Sequence, residues 1–167
     1  MEPPNRKNLK LKNTDLLSPD KLYQYALRLL TGRDYTVARI RQKLLTRTVD
    51  GQDTEALILR LQREGWLDDS RYAERFAESA VTDGRFYGAR LRQEMRRRGF
   101  SADVVNEVVT PLMAGSDEIS EIRAAMERRY PGFSYSEASD RDKRRVVSFL
   151  QRRGFGLSAI FRALRTD

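Results

Sequence analysis

The chain has no cysteine and no histidine among its 167 residues. The first absence excludes disulfides and thiolate zinc sites and fits a reducing compartment. Together the two remove Cys–His pairs, Ser–His–Asp triads and imidazole metal ligands. Any chemistry would have to run on carboxylates, lysines, tyrosines and hydroxyls. No apolar run approaches the roughly 18 residues a membrane span needs. The early basic residues Arg6, Lys7, Lys10 and Lys12 are followed by no apolar stretch of the signal-peptide kind. The expectation is a cytoplasmic protein, not an enzyme, with no catalytic residues, no cofactor and no metal, working without a membrane.

What is present is charge. Hydrophobic residues make up 40% and charged residues 34%, and 32 Lys and Arg against 24 Asp and Glu leave a formal charge of +8. That balance favours an anionic partner: nucleic acid, a nucleoprotein, an acidic protein face or a membrane surface. It does not choose among them. The length suits one ordinary domain or a few very small ones. A compact domain of this size removes roughly 70% of its unfolded surface from water, and smaller modules would have to support one another.

Residues 1–17 lack helical periodicity, carry Pro3, Pro4, Asn5, Asn8 and Asn13, and read as a flexible basic arm. From Ser18 onward the spacing is helical throughout. Ser18–Pro19 is a hydroxyl N-cap with proline at the first helical position, followed by Tyr23, Leu27 and Leu30 on one face and Gly32 as a stop. Val37, Ile40 and Leu44 mark a second helix ending near Thr48. Asp53 or Thr54 caps a third, with Leu57, Ile58 and Leu61 inward and Gly65 after it. Asp68 or Asp69 caps a fourth, with the stripe Tyr72, Phe76 and Ala80 and a stop at Gly84. Gly88 to Arg98 forms a fifth, with Leu91 and Met95 inward and Gly99 at its end. Ser101 caps a sixth, in which Val104, Val105, Val108 and Val109 precede Pro111; their i, i+4 pairing with Asp103 and Glu107 outward favours helix over strand. Ser116 opens a seventh (Ile119, Ile122, Met126, Tyr130), Ser139 an eighth (Val146, Leu150) ended by Gly154, and Leu157, Ile160, Phe161 and Leu164 lie on a ninth.

Nine short helices in groups of three suggest a repeat. Arg39-Ile40-Arg41-Gln42 recurs 51 residues later as Arg90-Leu91-Arg92-Gln93, with a weaker echo at Arg145-Val146-Val147-Ser148, 55 residues further on. The inward pairs Ile40/Leu44, Leu91/Met95 and Val146/Leu150 match in register. Gly99–Phe100 and Gly154–Phe155 both follow a middle helix, whereas Gly65–Trp66 follows a third helix and is not equivalent. Periods near fifty residues mean stacked modules, each too small to bury its own core. The predicted architecture is all-α: three three-helix repeats over residues 18–66, 67–115 and 116–167 behind the arm, extended rather than spherical.

Three groups of residues are candidates for function. Asp68–Asp69 could bind magnesium or act as acid and base, but an N-cap beside the helix dipole explains the pair better, and no phosphate-binding loop accompanies it. Tyr35, Trp66, Phe86, Tyr87 and Phe100 could stack on bases; each lies beside a glycine or a helix boundary, where an aromatic more often plugs a module core. The sharpest candidate is a run of six arginines, Arg85, Arg90, Arg92, Arg96, Arg97 and Arg98, against the single acid Glu94. At about 100° per residue, Arg92 and Arg96 fall on one flank of the Leu91/Met95 stripe and Arg90 and Arg97 on the other. Part of this is ordinary use of surface arginine, yet such density repels itself unless an anionic partner neutralises it.

Two segments carry a resemblance. Gly65-Trp66-Leu67-Asp68-Asp69-Ser70-Arg71-Tyr72-Ala73 resembles the stretch joining the first and second modules of the RecX family. Gly88-Ala89-Arg90-Leu91-Arg92-Gln93-Glu94-Met95 with Arg98-Gly99-Phe100-Ser101 resembles that family's second-module helix and its glycine stop. The strong match covers residues 64–101; the flanking modules agree in spacing. Where family members usually read Gly-aromatic-Gly-Pro before the arginine helix, this chain has Arg85-Phe86-Tyr87-Gly88, so the turn entering it differs. The resemblance implies three tandem three-helix repeats in a curved rod. It also implies a regulator of recombination, DNA repair and the SOS response that binds the groove of the RecA–single-stranded DNA filament and damps ATP hydrolysis, strand exchange and filament growth. The expected partners are the RecA filament and single-stranded DNA, met as a monomer, with the six arginines as contacts. Direct DNA binding of helix-turn-helix type stays open as an alternative, although the arginine helix has few Asn, Ser or Thr side chains to read base edges. A nuclease built on Asp68 and Asp69 is a distant third reading.

Overall fold

The computed structural model describes residues 16–48 and 51–165, and among them there are nine α-helices and no strand. These are α1 (Pro19–Gly32), α2 (Val37–Leu45), α3 (Gly51–Arg63), α4 (Asp69–Thr82), α5 (Gly88–Arg98), α6 (Ala102–Ala114), α7 (Glu118–Arg129), α8 (Asp140–Arg153) and α9 (Leu157–Arg165). They gather into two compact units, one ending at Asp68 and one running from Asp69. Of the expected basic arm, residues 1–15 lie outside the described residues. Leu17 lies within them, its N–H donating to the Arg47 carbonyl at 2.8 Å and its side chain packing on the first core.

The first unit closes α1–α3 around Leu22, Ala26, Ile40, Leu44, Leu57, Ile58, Leu61 and Leu67. The sequence places Tyr23, Leu27 and Leu30 at the centre of α1. In the fold Leu22 and Ala26 hold that line and the larger three flank it, half-buried. The apolar stripe is broad, and Ala26 lies wholly buried within it. Tyr23 instead donates its hydroxyl to Glu64 Oε2 at 2.6 Å, under the Arg60 guanidinium at 3.9 Å. α3 begins at Gly51, so Thr54 is not a cap but a buried residue within the helix.

The second unit holds six helices around one continuous core. Phe76, Leu91, Met95, Phe100 and Val105 from α4–α6 belong to the same cluster as Ile122, Met126, Leu150, Phe155 and Ile160 from α7–α9. The repeat signal in the sequence has a structural counterpart here. Gly99 and Gly154 both end a middle helix in the left-handed region, at φ 97° and 104°. Each is followed by a buried phenylalanine whose N–H returns to the helix at 3.3 Å, Phe100 to Met95 and Phe155 to Leu150.

Three local expectations shift. α6 runs on to Ala114 past Pro111, because the proline forfeits one N–H while Leu112 and Met113 pack that last turn onto the core. α7 is capped by Asp117, not Ser116: its carboxylate accepts from the Ile119 N–H at 3.2 Å and the Ser120 hydroxyl at 2.6 Å. Ser116 is left to pair with the Tyr87 hydroxyl at 3.1 Å. Ser18 stands at the N-cap of α1, but its side chain makes no capping bond, whereas Thr36, Ser101 and Ser139 each accept a helix N–H.

The fourth-to-sixth and seventh-to-ninth helices are joined at one backbone crossing. The Tyr87 N–H donates to the Arg153 carbonyl at 2.7 Å, and the Tyr87 ring stacks on Phe155 at 4.8 Å between centroids. Gly154 passes so close to the Tyr87 carbonyl and the Arg90 Cβ that any side chain there would collide with both.

Candidate partner-binding helix

The candidate arginines sit on α5, and their geometry follows from how that helix is fixed. Tyr87 enters it in extended conformation, buried at the crossing just described, and Gly88 starts the helix at φ 49°; this is the local form of the turn that departs from the family pattern. Gly99 stops it. Leu91 and Met95 are fully buried as expected, and α5 packs on α6 and α4.

Between those two apolar residues the inward face also takes Glu94, only 3% exposed. Arg97 clamps its carboxylate with two N–H donors at 2.7 and 3.1 Å, and Arg98 lies 3.7 Å away. The Arg97 hydrogen bonds hold the Glu94 carboxyl below the usual carboxylate range, against the burial that would raise it, with the charges of Arg97, Arg98 and Arg90 adding to the effect. The sequence counts Glu94 as one acid among arginines; the fold makes it their internal anchor.

The six arginines then separate. Arg98 is half-buried, its guanidinium 4.4 Å over the Phe76 ring. Arg97 is spent on Glu94 but leaves 76% of its side chain exposed. Arg92 reaches from its flank to α6, donating to Asn106 Oδ1 at 2.9 Å and Thr110 Oγ1 at 3.0 Å. Arg85, before the helix, binds Asp83 at 3.1 Å and the Ser79 hydroxyl at 2.9 Å. Arg90 is exposed, touching Gln93 at 2.8 Å and the Phe86 ring at 5.9 Å. Arg96 is exposed, its side chain making no hydrogen bond or ion pair among the described residues. The structure thus brings Arg97 and Arg98 together on Glu94, ties Arg92 and Arg85 to neighbours, and leaves Arg90, Arg96 and the outer part of Arg97 towards solvent.

The other candidates resolve differently. Asp68 and Asp69 stand at the start of α4, and among the described residues no group of three acidic or other metal-ligating side chains forms. Tyr87 and Phe100 are buried in the core and Phe86 packs against it. Tyr35 is half-buried beneath Arg33 at 4.6 Å and Lys43 at 5.6 Å. Trp66 contradicts the plug reading, being 44% exposed. The turn at Gly65 sends both the Trp66 and the Leu67 N–H groups to the Leu61 carbonyl, which rotates Leu67 into the core and Trp66 out of it. Sequence reasoning also passed over Arg128–Arg129 and Arg152–Arg153. Their signal was present, an arginine pair in the last turn before a proline or glycine stop, but nothing in the sequence says that the two helix ends meet.

Sequence models of the family match this geometry module by module: RecX, first three-helix domain, over residues 23–61; RecX, second three-helix domain, over 68–109; and RecX, third three-helix domain, over 116–164. The chain belongs to the RecX family. A Regulatory protein RecX of Trichlorobacter lovleyi is 45% identical over 137 residues, covering 82% of this chain and 89% of that one. A Regulatory protein RecX of Thermus thermophilus is 38% identical over 142 residues, covering 84% and 88%. The crystal structure of RecX from Lactobacillus salivarius superposes with a TM-score of 0.66 at 17% identity, covering 89% of this chain and 95% of that chain. The RecX relatives are regulatory proteins, and three three-helix domains in tandem are the fold they share with this chain.

Proposed function

We propose that the chain regulates homologous recombination and DNA repair by binding the RecA–single-stranded DNA filament and inhibiting its ATPase, strand exchange and extension. The observation that carries this reading is the unbroken series of three RecX modules along one chain. The +8 charge suits a nucleoprotein target, and the role calls for binding surface rather than catalytic groups. The protein acts as a cytoplasmic monomer without cofactor. Arg90, Arg96 and Arg97 make the outer contacts of α5, while Arg85, Arg92 and Arg98 hold the surface in shape.

The test is RecA-catalysed ATP hydrolysis on single-stranded DNA, with this protein titrated in. The expected result is a saturable loss of hydrolysis that weakens as salt rises, because each phosphate contact on a single strand contributes about −0.7 to the slope of log K against log salt. No inhibition at any concentration in low salt would overturn it. Direct DNA binding is the second reading, favoured by the exposure of Arg96. Against it, α5 carries no Asn, Ser or Thr with which to read base edges.

A further inference from the structure

A second group of arginines without ion pairs among the described residues lies away from α5. It lies where the last turns of α7 and α8 converge beside the turn after α4. Arg153 Nη1 donates to the Gly84 carbonyl at 2.7 Å and the Arg85 carbonyl at 3.3 Å. Arg128 comes to the same place from the other helix, its Nη2 only 2.6 Å from the point a Cβ on Gly84 would occupy. The positive φ of Gly84, 62°, and its missing side chain are what let the two guanidinium groups approach one backbone turn. Arg129 lies 5.1 Å over the Tyr130 ring and Arg153 lies 4.3 Å over the Phe149 ring. Those two rings meet edge to face at 5.3 Å, so Arg128, Arg129 and Arg153 gather about one aromatic pair and one glycine turn, with Arg152 beside Arg153 in the last turn of α8.

None of the four has a carboxylate within ion-pair distance among the described residues. Arg153 Nε is buried and finds no acceptor. Burial, with Arg128, Arg152 and Arg129 close by, pushes the Arg153 pKa down. Arginine in a last helical turn is ordinary, since each helix end presents about half a negative charge. Two such ends offset about one unit of the four. Most of the positive charge of the four therefore stays unpaired, a cost to the folded chain unless a ligand neutralises it.

We propose that Arg128, Arg129, Arg152 and Arg153 form a second polyanion site, separate from α5, that grips neighbouring phosphates of single-stranded nucleic acid where the second and third modules join. The chemistry favours phosphate over protein carboxylate. The planar guanidinium fork binds phosphate oxygens bidentately, and a phosphodiester strand carries one charge per nucleotide with no cations between, matching four arginines that form no ion pair among the described residues. An acidic protein face mixes signs and rarely offers that density. The inference deepens the function proposed above, because single-stranded DNA is part of that target, but it does not need RecA to be tested.

The experiment uses the whole chain and a fluorescent single-stranded oligothymidylate, its anisotropy followed at several salt concentrations. Arg128→Gln with Arg152→Gln removes two exposed side chains that hold no partner, and circular dichroism checks the fold. The expected result is about tenfold weaker binding and a salt slope shallower by about 1.4, at about 0.7 per lost contact. Arg129→Gln alone should move both quantities in the same direction, which keeps the test open if the double variant melts. Unchanged affinity and slope in both variants would overturn the proposal. So would labelled polyglutamate binding the parent as tightly as the oligonucleotide and losing as much in the variants, which would make the patch a dock for acidic protein. A parent that grips oligonucleotide through these arginines yet leaves RecA untouched overturns the filament reading and supports this one.

Discussion

Glu94 occupies a position where an apolar side chain would pack more simply, between Leu91 and Met95 on the inward face of α5. Its value comes from the arginines it holds. Its carboxyl is depressed in the folded state, chiefly by the Arg97 hydrogen bonds. The stabilisation it gives is therefore complete above the unfolded value, about 4.3, and is lost as pH falls through the lower folded value. Replacing Glu94 by Gln should cost about 1–2 kcal/mol at neutral pH. The gap between parent and variant in urea midpoint should narrow on acidification below about pH 4; a gap that persists at low pH would show that the charge is irrelevant there. The same residues refine how the α5 surface is probed. Arg92→Glu with Arg96→Glu should abolish filament inhibition, but Arg92 also holds Asn106 and Thr110, so Arg96→Glu alone is the cleaner change. Arg90→Glu with Arg97→Glu tests the other flank, at the risk of placing a second carboxylate beside Glu94. An exposed ion pair merely lost is worth only about 0–1 kcal/mol, so charge reversal, which replaces attraction by repulsion, is the decisive form. If both double variants inhibit as well as the parent at matched concentration, α5 is not the contact surface.

At the scale of elements, periodicity made nearly every helix legible, because the apolar spacing and the Gly and Ser boundaries agreed with one another. The misses have a common origin. Trp66 turns outward, Ser116 yields its cap to Asp117, and Leu22 rather than Tyr23 centres α1, each decided by one residue of rotation that packing settles and spacing leaves free. The grouping of the α7–α8 arginines was invisible for a different reason: it depends on Gly84, far along the chain; Glu94 has its partners one turn away, but its burial is set by how α5 packs on its neighbours. Gly154 tests the element junction directly. Gly154→Ala must meet both the Tyr87 carbonyl and the Arg90 Cβ, whereas Gly65→Ala, at φ 77°, meets nothing within 4 Å. Gly65→Ala should cost only the left-handed backbone penalty, about 1–2 kcal/mol, and Gly154→Ala clearly more. Equal melting temperatures for the two would mean that the crossing is loose. Met95, wholly buried on α5, should cost about 2–5 kcal/mol on truncation to Ala.

At the scale of the molecule, the repeat in the sequence and the units in the fold divide the chain differently. Three modules are written along it, yet the second and third share one core. A chain truncated after Gly115 should therefore melt well below the parent, with α4–α6 losing cooperativity, since Tyr87 would lose Phe155 and the Arg153 carbonyl, and the turn at Gly84 would lose the Arg153 guanidinium. A sharp and unchanged transition for isolated residues 66–115 would show the second module to be autonomous. The Tyr87–Arg153 crossing also orders events during synthesis. Arg153 follows Gly84 by 69 residues, and at roughly 5–20 residues per second the ribosome needs on the order of ten seconds to supply it. The first unit, which ends at Asp68, can close as soon as it emerges. In the second module α4 to α6 can pack on one another before Arg153 is made, but the Tyr87 N–H and ring meet the Arg153 carbonyl and Phe155 only once α8 and its glycine stop have been made, so the joint between the modules closes last.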